Sequence, residues 1–214
     1  MYVVLVPVKP PAVGKSRLAG LGDQERRELA AAIALDTVEA CRAATLVEQV
    51  LAITDDAGFA AELTAIGCLT IPDGTSEDLN GTLRLAAAEA LRRWPHLVPV
   101  ALLGDLPALR AAELDEVLGG LEPGAPAYVA DAEGSGTTLY TAAHAEFRPR
   151  FGAGSAAAHD VVARPVHDAG PGLRRDVDDL ADLREAWELG VGTRTRRRAA
   201  PLLGDGPSDG AADN

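Results

Sequence analysis

The chain has 214 residues, of which 47% are hydrophobic, and this suits a single domain of ordinary size that buries its own core. The formal net charge of −12 argues against nucleic-acid binding, because the protein as a whole would repel a phosphate backbone. No apolar run approaches the ~20 residues that span a bilayer, and no basic leader precedes the first strand, so we predict a cytoplasmic protein without membrane segments. Cys41 and Cys68 lie in apolar contexts, which indicates buried thiols in a reducing compartment.

Short β-rich runs alternate with helical patterns along the first two thirds of the chain. Strands are predicted at residues 2–8, 49–54, 68–71, 98–103, 127–130 and 137–141. Helices are predicted at residues 23–41, 59–65, 80–93, 111–118 and 180–189, with another that starts near residue 155. This alternation predicts one α/β domain over residues 1–192, with a mostly parallel central sheet and helices on both faces. Residues 193–214, including the basic run 194–198, are predicted to be a disordered, solvated tail.

The first strand leads into a Pro/Gly loop that carries three cations, Lys9, Lys15 and Arg17. The sequence Gly-Lys-Ser at residues 14–16 copies the end of a Walker A motif, but that motif also requires a glycine where this chain has Lys9. Pro10 and Pro11 supply no backbone N–H groups for a phosphate cradle. We therefore expect the three cations to surround an anionic ligand, and we disfavour a P-loop phosphotransferase.

Carboxylates follow a buried strand and precede the last predicted helix. Asp105 ends the apolar run 98–103, at the edge of a parallel sheet where ligands bind; the alternative is a turn or capping aspartate. In the sequence Asp-Val-Asp-Asp, alternation would place Asp176 and Asp178 on one face, although a solvated turn capping the helix is the alternative, most of all for Asp179. Together, Asp105, Asp176 and Asp178 would form an all-oxygen site suited to Mg²⁺.

Two small-residue loops have the composition of anion sites. They are Gly-Ser-Gly-Thr at residues 134–137 and Gly-Ala-Gly-Ser at residues 152–155, the second at a predicted helix N-terminus. Plain turns are the alternative for both loops. The histidines do not form an acyl-transfer set with either candidate serine. We expect His159 to be exposed or to cap a helix; the alternative is a ligand contact, since it follows Ser155 by one helical turn.

Six ordered motifs resemble the CofC/FbiD family, the guanylyltransferases of coenzyme F420 biosynthesis. They are KPPAVGKSRL, DLNGTL, LLGDLPAL, GSGTTLY, RFGAGSAAAH and GLRRDVDDLADL, and the likeness covers residues 1–192. The resemblance implies a Rossmann-like nucleotidyltransferase fold. It also implies an enzyme that joins GTP to phosphoenolpyruvate or 2-phospho-L-lactate and releases pyrophosphate, with channelling of the product to the next transferase. The Ala/Arg/Gly-rich composition favours phosphoenolpyruvate, and the short stretch 72–77 offers little to fix guanine.

The resemblance also assigns residues to roles. Mg²⁺ would be held by Asp105, Asp176 and Asp178, and the acid by Thr137, Gly152 and Ser155. The nucleotide would be held by Lys9, Lys15, Arg17, Asn80 and Gly81, and the catalytic set would be Lys9, Lys15, Arg17 and Asp105. The alternatives are a nucleotidyltransferase for another phosphorylated metabolite, a phosphotransferase, and a non-catalytic nucleotide sensor. Nucleotidyltransferases for molybdopterin or sugar phosphates usually begin with a glycine-rich LAGGxGxR-type loop, which this chain lacks.

Overall fold

The centre of the protein is a seven-stranded sheet. The computed structural model describes residues 1–8, 21–75 and 78–204. The strands are β1 (Tyr2–Pro7), β2 (Val47–Ile53), β3 (Leu69–Ile71), β4 (Val98–Leu102), β5 (Ala127–Ala130), β6 (Thr137–Thr141) and β7 (Arg164–Pro165). Their order in the sheet is β3-β2-β1-β4-β6-β5-β7. Only the pairings of β6, with β4 and with β5, are antiparallel among the described strands. The carboxyl ends of the other strands therefore meet at one edge of the sheet.

Helices cover both faces of this sheet. They are α1 (Asp23–Ala43), α2 (Ala57–Ala65), α3 (Leu79–Arg93), α4 (Ala111–Gly119), α5 (Ser155–Asp160), α6 (Pro171–Arg174), α7 (Leu180–Leu189) and α8 (Thr193–Leu203), with a 3-10 turn at His144–Glu146. Strand β1 shows the arrangement, because its side chains alternate between two cores. Val4 packs in one core with Val38 of α1, and Val3 packs in the other with Leu83 of α3. The predicted α/β fold with a mostly parallel sheet is confirmed.

The structure differs from the predicted disordered tail over residues 193–203, which form α8 and pack against α1. The reason is Asp36, an aspartate of α1 that is only 6% exposed. Its carboxylate accepts hydrogen bonds from the backbone N–H of Arg194 (3.3 Å) and of Thr195 (2.7 Å), which are unpaired donors of the first turn of α8. The guanidinium of Arg194 also pairs with Asp36 and Glu39. The arginine run thus lies in a helix that is fixed to the domain.

Both cysteines are buried free thiols, as predicted. Burial raises the pKa of Cys68 to about 11 and raises that of Cys41 further, so both thiols stay protonated and unreactive near neutral pH. No helix among the described residues has the length and apolar character to cross a membrane.

Candidate active site

The carboxyl ends of β1 and β4 lie side by side, and the chain leaves β4 through Gly104 and Asp105. A Cβ on Gly104 would come within 3.2 Å of the carbonyl oxygen of Pro7 and within 3.3 Å of the side chains of Val6 and Val8. The absence of a side chain at Gly104 therefore allows the two strand ends to approach closely. The half-buried Asp105 follows directly, at the edge where the sequence places it.

A single backbone contact brings the second acidic segment to the first. The N–H of Val177 donates to the carbonyl oxygen of Asp105 at 3.1 Å, and the Val177 side chain is completely buried. Asp176 and Asp178, on either side of Val177, are therefore held next to Asp105. Asp179 takes the alternative role considered for it, since its carboxylate caps α7 by accepting from the N–H groups of Ala181 and Asp182.

The electrostatics of this region depend on the mutual proximity of its carboxylates. The pKa of Asp176 is raised to about 7, first by burial and then by the negative charges of Asp105, Asp178 and Asp131. We refer to Asp105, Asp131, Asp176 and Asp178 as the carboxylate cluster. Because its charges repel one another, the cluster gains stability from a proton or from a bound cation.

Asp131 is a member of this cluster that the sequence motifs do not single out. Carboxylate oxygens of Asp131, Glu133 and Asp176 lie within 4.8 Å of one another, close enough to hold one metal ion. Asp131 also shapes the turn that follows it, accepting from the backbone N–H of Ser135 (2.9 Å) and of Gly136 (2.7 Å). Its position directly after β5, at the same edge as Asp105, is the signal that could have identified it.

A cavity of about 270 Å³ opens beside the carboxylate cluster. Asp105 and Asp178 supply its acidic side, and residues of β1, α1 and α3 supply its apolar wall. Val8, the last described residue before the basic loop, also lines this cavity. A larger cavity of about 600 Å³ lies between α1, α2 and α8, but no member of the carboxylate cluster lines it. The smaller cavity is therefore the candidate active site.

The two small-residue loops predicted as anion sites are neighbours. The N–H of Ala156 donates to the carbonyl oxygen of Ser135 at 3.2 Å, which joins one loop to the other. Gly152 has φ +134° and Gly154 has φ +69°, backbone conformations that favour glycine, and among the described residues no atom beyond the adjoining residues lies within 4 Å of a Cβ built on either. Helix α5 has only six residues, so its dipole is short and contributes less to anion binding than the sequence suggests.

His159 is completely buried between these loops, so the prediction that it is exposed or caps a helix is wrong. Its ring is stacked 4.7 Å from the ring of Tyr140 and 5.8 Å from that of Tyr128, and it meets Phe151 edge-on at 5.3 Å. Its Nδ1 lies 2.9 Å from Oγ1 of Thr137, and its Nε2 accepts from the backbone N–H of Arg150 at 2.9 Å. We refer to His159 and these five neighbours as the imidazole pocket.

Asn80 connects the start of α3 to the second small-residue loop. Its amide nitrogen donates to the carbonyl oxygen of Phe151 at 2.9 Å, and its amide oxygen accepts from the Phe151 N–H at 2.8 Å. Gly81 is close to the capping residue Asp78, whose carboxylate accepts from its N–H at 2.9 Å. The predicted nucleotide residue Asn80 thus already makes two hydrogen bonds to the acid-side loop.

The predicted acid-binding residues Thr137 and Ser155 are each 3% exposed, whereas Gly152 is exposed. A ligand can therefore contact only a small part of Thr137 and of Ser155. Lys9, Lys15 and Arg17 lie outside the described residues.

The fold and the acidic edge together define a class of protein. The structure of a nucleotidyl transferase from Methanothermobacter thermautotroptrophicus superposes with a TM-score of 0.60 at 16% identity, covering 88% of this chain and 97% of that one. The structure of a protein from Desulfovibrio desulfuricans G20 superposes with a TM-score of 0.71 at 18% identity, covering 95% and 94% of the two chains. The fold is that of the nucleotidyltransferases, with acidic residues at the carboxyl edge of the sheet.

The model of the family described as "Guanylyl transferase CofC like" matches residues 2–197, and the chain belongs to this family. A phosphoenolpyruvate guanylyltransferase from Thermomonospora curvata is 43% identical over 204 residues, which cover 94% of this chain and 90% of that protein. The protein is therefore a nucleotidyltransferase enzyme.

Proposed function

We propose that this enzyme joins GTP to phosphoenolpyruvate, giving enolpyruvyl-diphospho-5'-guanosine and pyrophosphate, as a step of coenzyme F420 biosynthesis. The observation that carries the proposal is the bond between the Val177 N–H and the Asp105 carbonyl, because it gathers three carboxylates at the edge where the fold binds ligands. Family membership and the similar enzyme from Thermomonospora curvata support the choice of substrates. 2-Phospho-L-lactate is the alternative acid, since it also carries one phosphate and one carboxylate.

Asp105, Asp176 and Asp178 are the residues that we expect to hold Mg²⁺. Carboxylate oxygens are the hard ligands that this ion prefers, and burial together with the charges of the neighbouring aspartates raises the pKa of Asp176, which supports a cation among them. When bound there, Mg²⁺ supplies Lewis-acid stabilisation of the negative charge that develops around the α-phosphorus. The acidic set of Asp131, Glu133 and Asp176 is the basis for a second position.

The reaction needs positioning more than proton transfer. The phosphate of the acid has a second pKa near ~6, so it arrives ionised and needs no general base. One of its oxygens forms a bond to the α-phosphorus of GTP while the bond from that phosphorus to the bridging oxygen breaks, and pyrophosphate leaves with that electron pair. We assign Lys9, Lys15 and Arg17 to the triphosphate and the leaving pyrophosphate, because a protein of net charge −12 must neutralise these anions locally.

The acid is assigned to the other half of the site. Thr137, Gly152 and Ser155 lie on two loops that the Ala156–Ser135 bond holds together, so a ligand with a phosphate and a carboxylate can contact both loops. Gly81 is assigned to the nucleotide side. Asn80 contributes to that side as a connector, because both polar groups of its amide contact Phe151.

The test is a pyrophosphate-release assay that pairs GTP, ATP and CTP with each acid in the presence of Mg²⁺ and the downstream transferase. We expect release only with GTP and most with phosphoenolpyruvate. Asp105→Asn should reduce the rate by about 10²–10⁴-fold, since it removes a charge that acts on the transition state. Asp168→Asn is the matched control, because Asp168 is an exposed aspartate outside the carboxylate cluster, and we expect it to retain wild-type activity.

Two results would contradict the proposal. The first is an Asp105→Asn enzyme that keeps a rate close to that of Asp168→Asn. The second is release of γ-phosphate from GTP without pyrophosphate, which would indicate a phosphotransferase. Binding of GTP without any turnover would instead indicate a nucleotide sensor.

A further inference from the structure

The hydrogen bonds of the imidazole pocket determine which nitrogen of His159 carries the proton. The backbone N–H of Arg150 can only donate, so Nε2, at 2.9 Å, is the acceptor and carries no proton. The proton of the neutral ring is therefore on Nδ1. Burial lowers the pKa of His159 to about 4, so the ring stays neutral near neutral pH.

This tautomer also determines the direction of the bond to Thr137. Because Nδ1 carries a proton, the contact of 2.9 Å to Oγ1 of Thr137 must run from the ring to the hydroxyl oxygen. A backbone hydrogen bond of Ser155 to the imidazole acts against burial and raises the pKa of His159 in part. The Thr137 hydroxyl oxygen then accepts from His159. The proton of that hydroxyl is not used in this bond and can be donated to another acceptor.

We propose that His159 is a positioning residue that makes the Thr137 hydroxyl a fixed donor for an oxyanion of the acid substrate. This inference rests on the proposed function, because it requires that Thr137 contact the acid. Phosphate and carboxylate oxygens only accept hydrogen bonds, so a hydroxyl whose proton is not used in its bond to His159 can donate that proton to them while the bond to His159 stays intact. The rings of Tyr128, Tyr140 and Phe151 fix the imidazole from three sides.

Two substitutions of His159 separate its two hydrogen bonds. His159→Asn places an amide nitrogen near the position of Nδ1, so it keeps the donor to Thr137 and loses the acceptor for Arg150. His159→Gln places an amide oxygen near the position of Nε2, so it keeps that acceptor and loses the donor to Thr137. Both variants lose the packing of the imidazole against the aromatic rings, so both should lose thermal stability for this reason. Each variant is therefore a control for the other.

We expect His159→Gln to raise KM for phosphoenolpyruvate about 3- to 10-fold relative to His159→Asn, the size of one ordinary hydrogen bond, with KM for GTP unchanged. In a Thr137→Val background, where the hydroxyl is absent, the two variants should have the same KM for the acid. Thr137→Ser should preserve the difference between them, because serine keeps the hydroxyl.

The outcomes separate this inference from the proposed function. If Thr137→Val leaves KM for the acid unchanged, Thr137 does not contact the acid and its proposed role fails. If Thr137→Val raises that KM but His159→Asn and His159→Gln have the same KM for the acid, Thr137 contacts the acid as proposed. The role proposed for His159 is then overturned. If KM for GTP and KM for the acid rise together in both variants, His159 acts only through the stability of the pocket, which also overturns the inference.

Discussion

The carboxylate cluster and the imidazole pocket each contain a titratable group whose pKa shift favours its neutral form. They differ in what compensates that group for its loss of contact with water. In the cluster, the pKa of Asp176 rises to about 7, first because the group is buried and then because its neighbours carry the same charge. In the pocket, the pKa of His159 falls to about 4, and the neutral ring is surrounded by aromatic faces with a hydrogen bond at each nitrogen.

The difference separates two ways of preparing a site for anions. In the imidazole pocket, both ring nitrogens of His159 have hydrogen-bond partners within the protein. The geometry of the pocket is therefore set before any ligand binds. The carboxylates of the cluster repel one another, so the cluster gains stability when a cation or a proton enters. A substitution that neutralises one charge should therefore improve the stability of the cluster and impair its function, whereas any change in the pocket should reduce both.

Among the changes that test this comparison, the largest effect is expected for Asp176→Asn, which tests the first half of this statement. It should reduce pyrophosphate release by about 10²–10³-fold, because a ligand for the metal is lost. In EDTA at pH 8 the variant should nevertheless be more stable than wild type, by on the order of 1–2 kcal/mol after allowance for solvent screening. Thermal unfolding in EDTA and in Mg²⁺ measures this difference.

The sign of the pH dependence follows from the raised pKa. The folded state binds a proton on Asp176 more tightly than the unfolded state, in which the pKa is near its ordinary value of 3.8. Wild type therefore loses stability as the pH rises from about 4 to about 7, and the advantage of Asp176→Asn should be absent at pH 4 and complete above pH 7. Equal melting temperatures of the two proteins at pH 8 in EDTA would show that the cluster is not under electrostatic strain.

The sheet and the position of Asp105 at its edge could be derived from local patterns, whereas a long-range contact between Val177 and Asp105 brings Asp176 and Asp178 to that edge. An apolar run that ends in Gly-Asp places a carboxylate at the edge of a parallel sheet wherever that strand lies. Asp131 also directly follows a strand, but its proximity to Asp176 and the burial of His159 could not be found in this way. Asp131 is separated by 45 residues from Asp176, which it faces, and the burial of His159 depends on rings contributed by β5, β6 and the loop before α5.

The prediction of a disordered tail is wrong over residues 193–203 for the same physical reason, and residues 205–214 of that prediction lie outside the described residues. Its arginines are typical of a solvated segment when taken alone, and their partner Asp36 lies about 158 residues earlier in α1. Long-range pairs of this kind depend on how the elements pack, and a single sequence does not contain that information.

An intermediate effect is expected for Asn80, which links the nucleotide side to the imidazole pocket through Phe151. Asn80→Ala removes both hydrogen bonds to Phe151, and Asn80→Asp removes only the donor. We expect KM for the acid to rise about tenfold in Asn80→Ala, because two ordinary hydrogen bonds are lost, and at least as much in Asn80→Asp, because a carboxylate oxygen would face the Phe151 carbonyl oxygen. If steady-state kinetics show that only KM for GTP rises, Asn80 contacts the nucleotide directly. In that case its hydrogen bonds to Phe151 do not affect binding of the acid.

The smallest effect is expected for the pH dependence of stability that His159 contributes. Its pKa is about 4 in the folded protein and near its ordinary 6.5 in the unfolded chain, so only the unfolded state takes up a proton as the pH falls between these values. The nearby positive charge of Arg150 acts in the same direction as burial. Wild type should therefore lose a few °C more than His159→Gln in melting temperature when the pH is lowered from 7 to about 4.5, a small effect because one group is involved. The carboxylates titrate in both proteins, so the difference between the two curves of melting temperature against pH isolates His159.

Parallel curves would mean that the buried ring opens to solvent and accepts a proton. In that case the pocket would not hold a fixed tautomer, and Thr137 would not be a fixed donor.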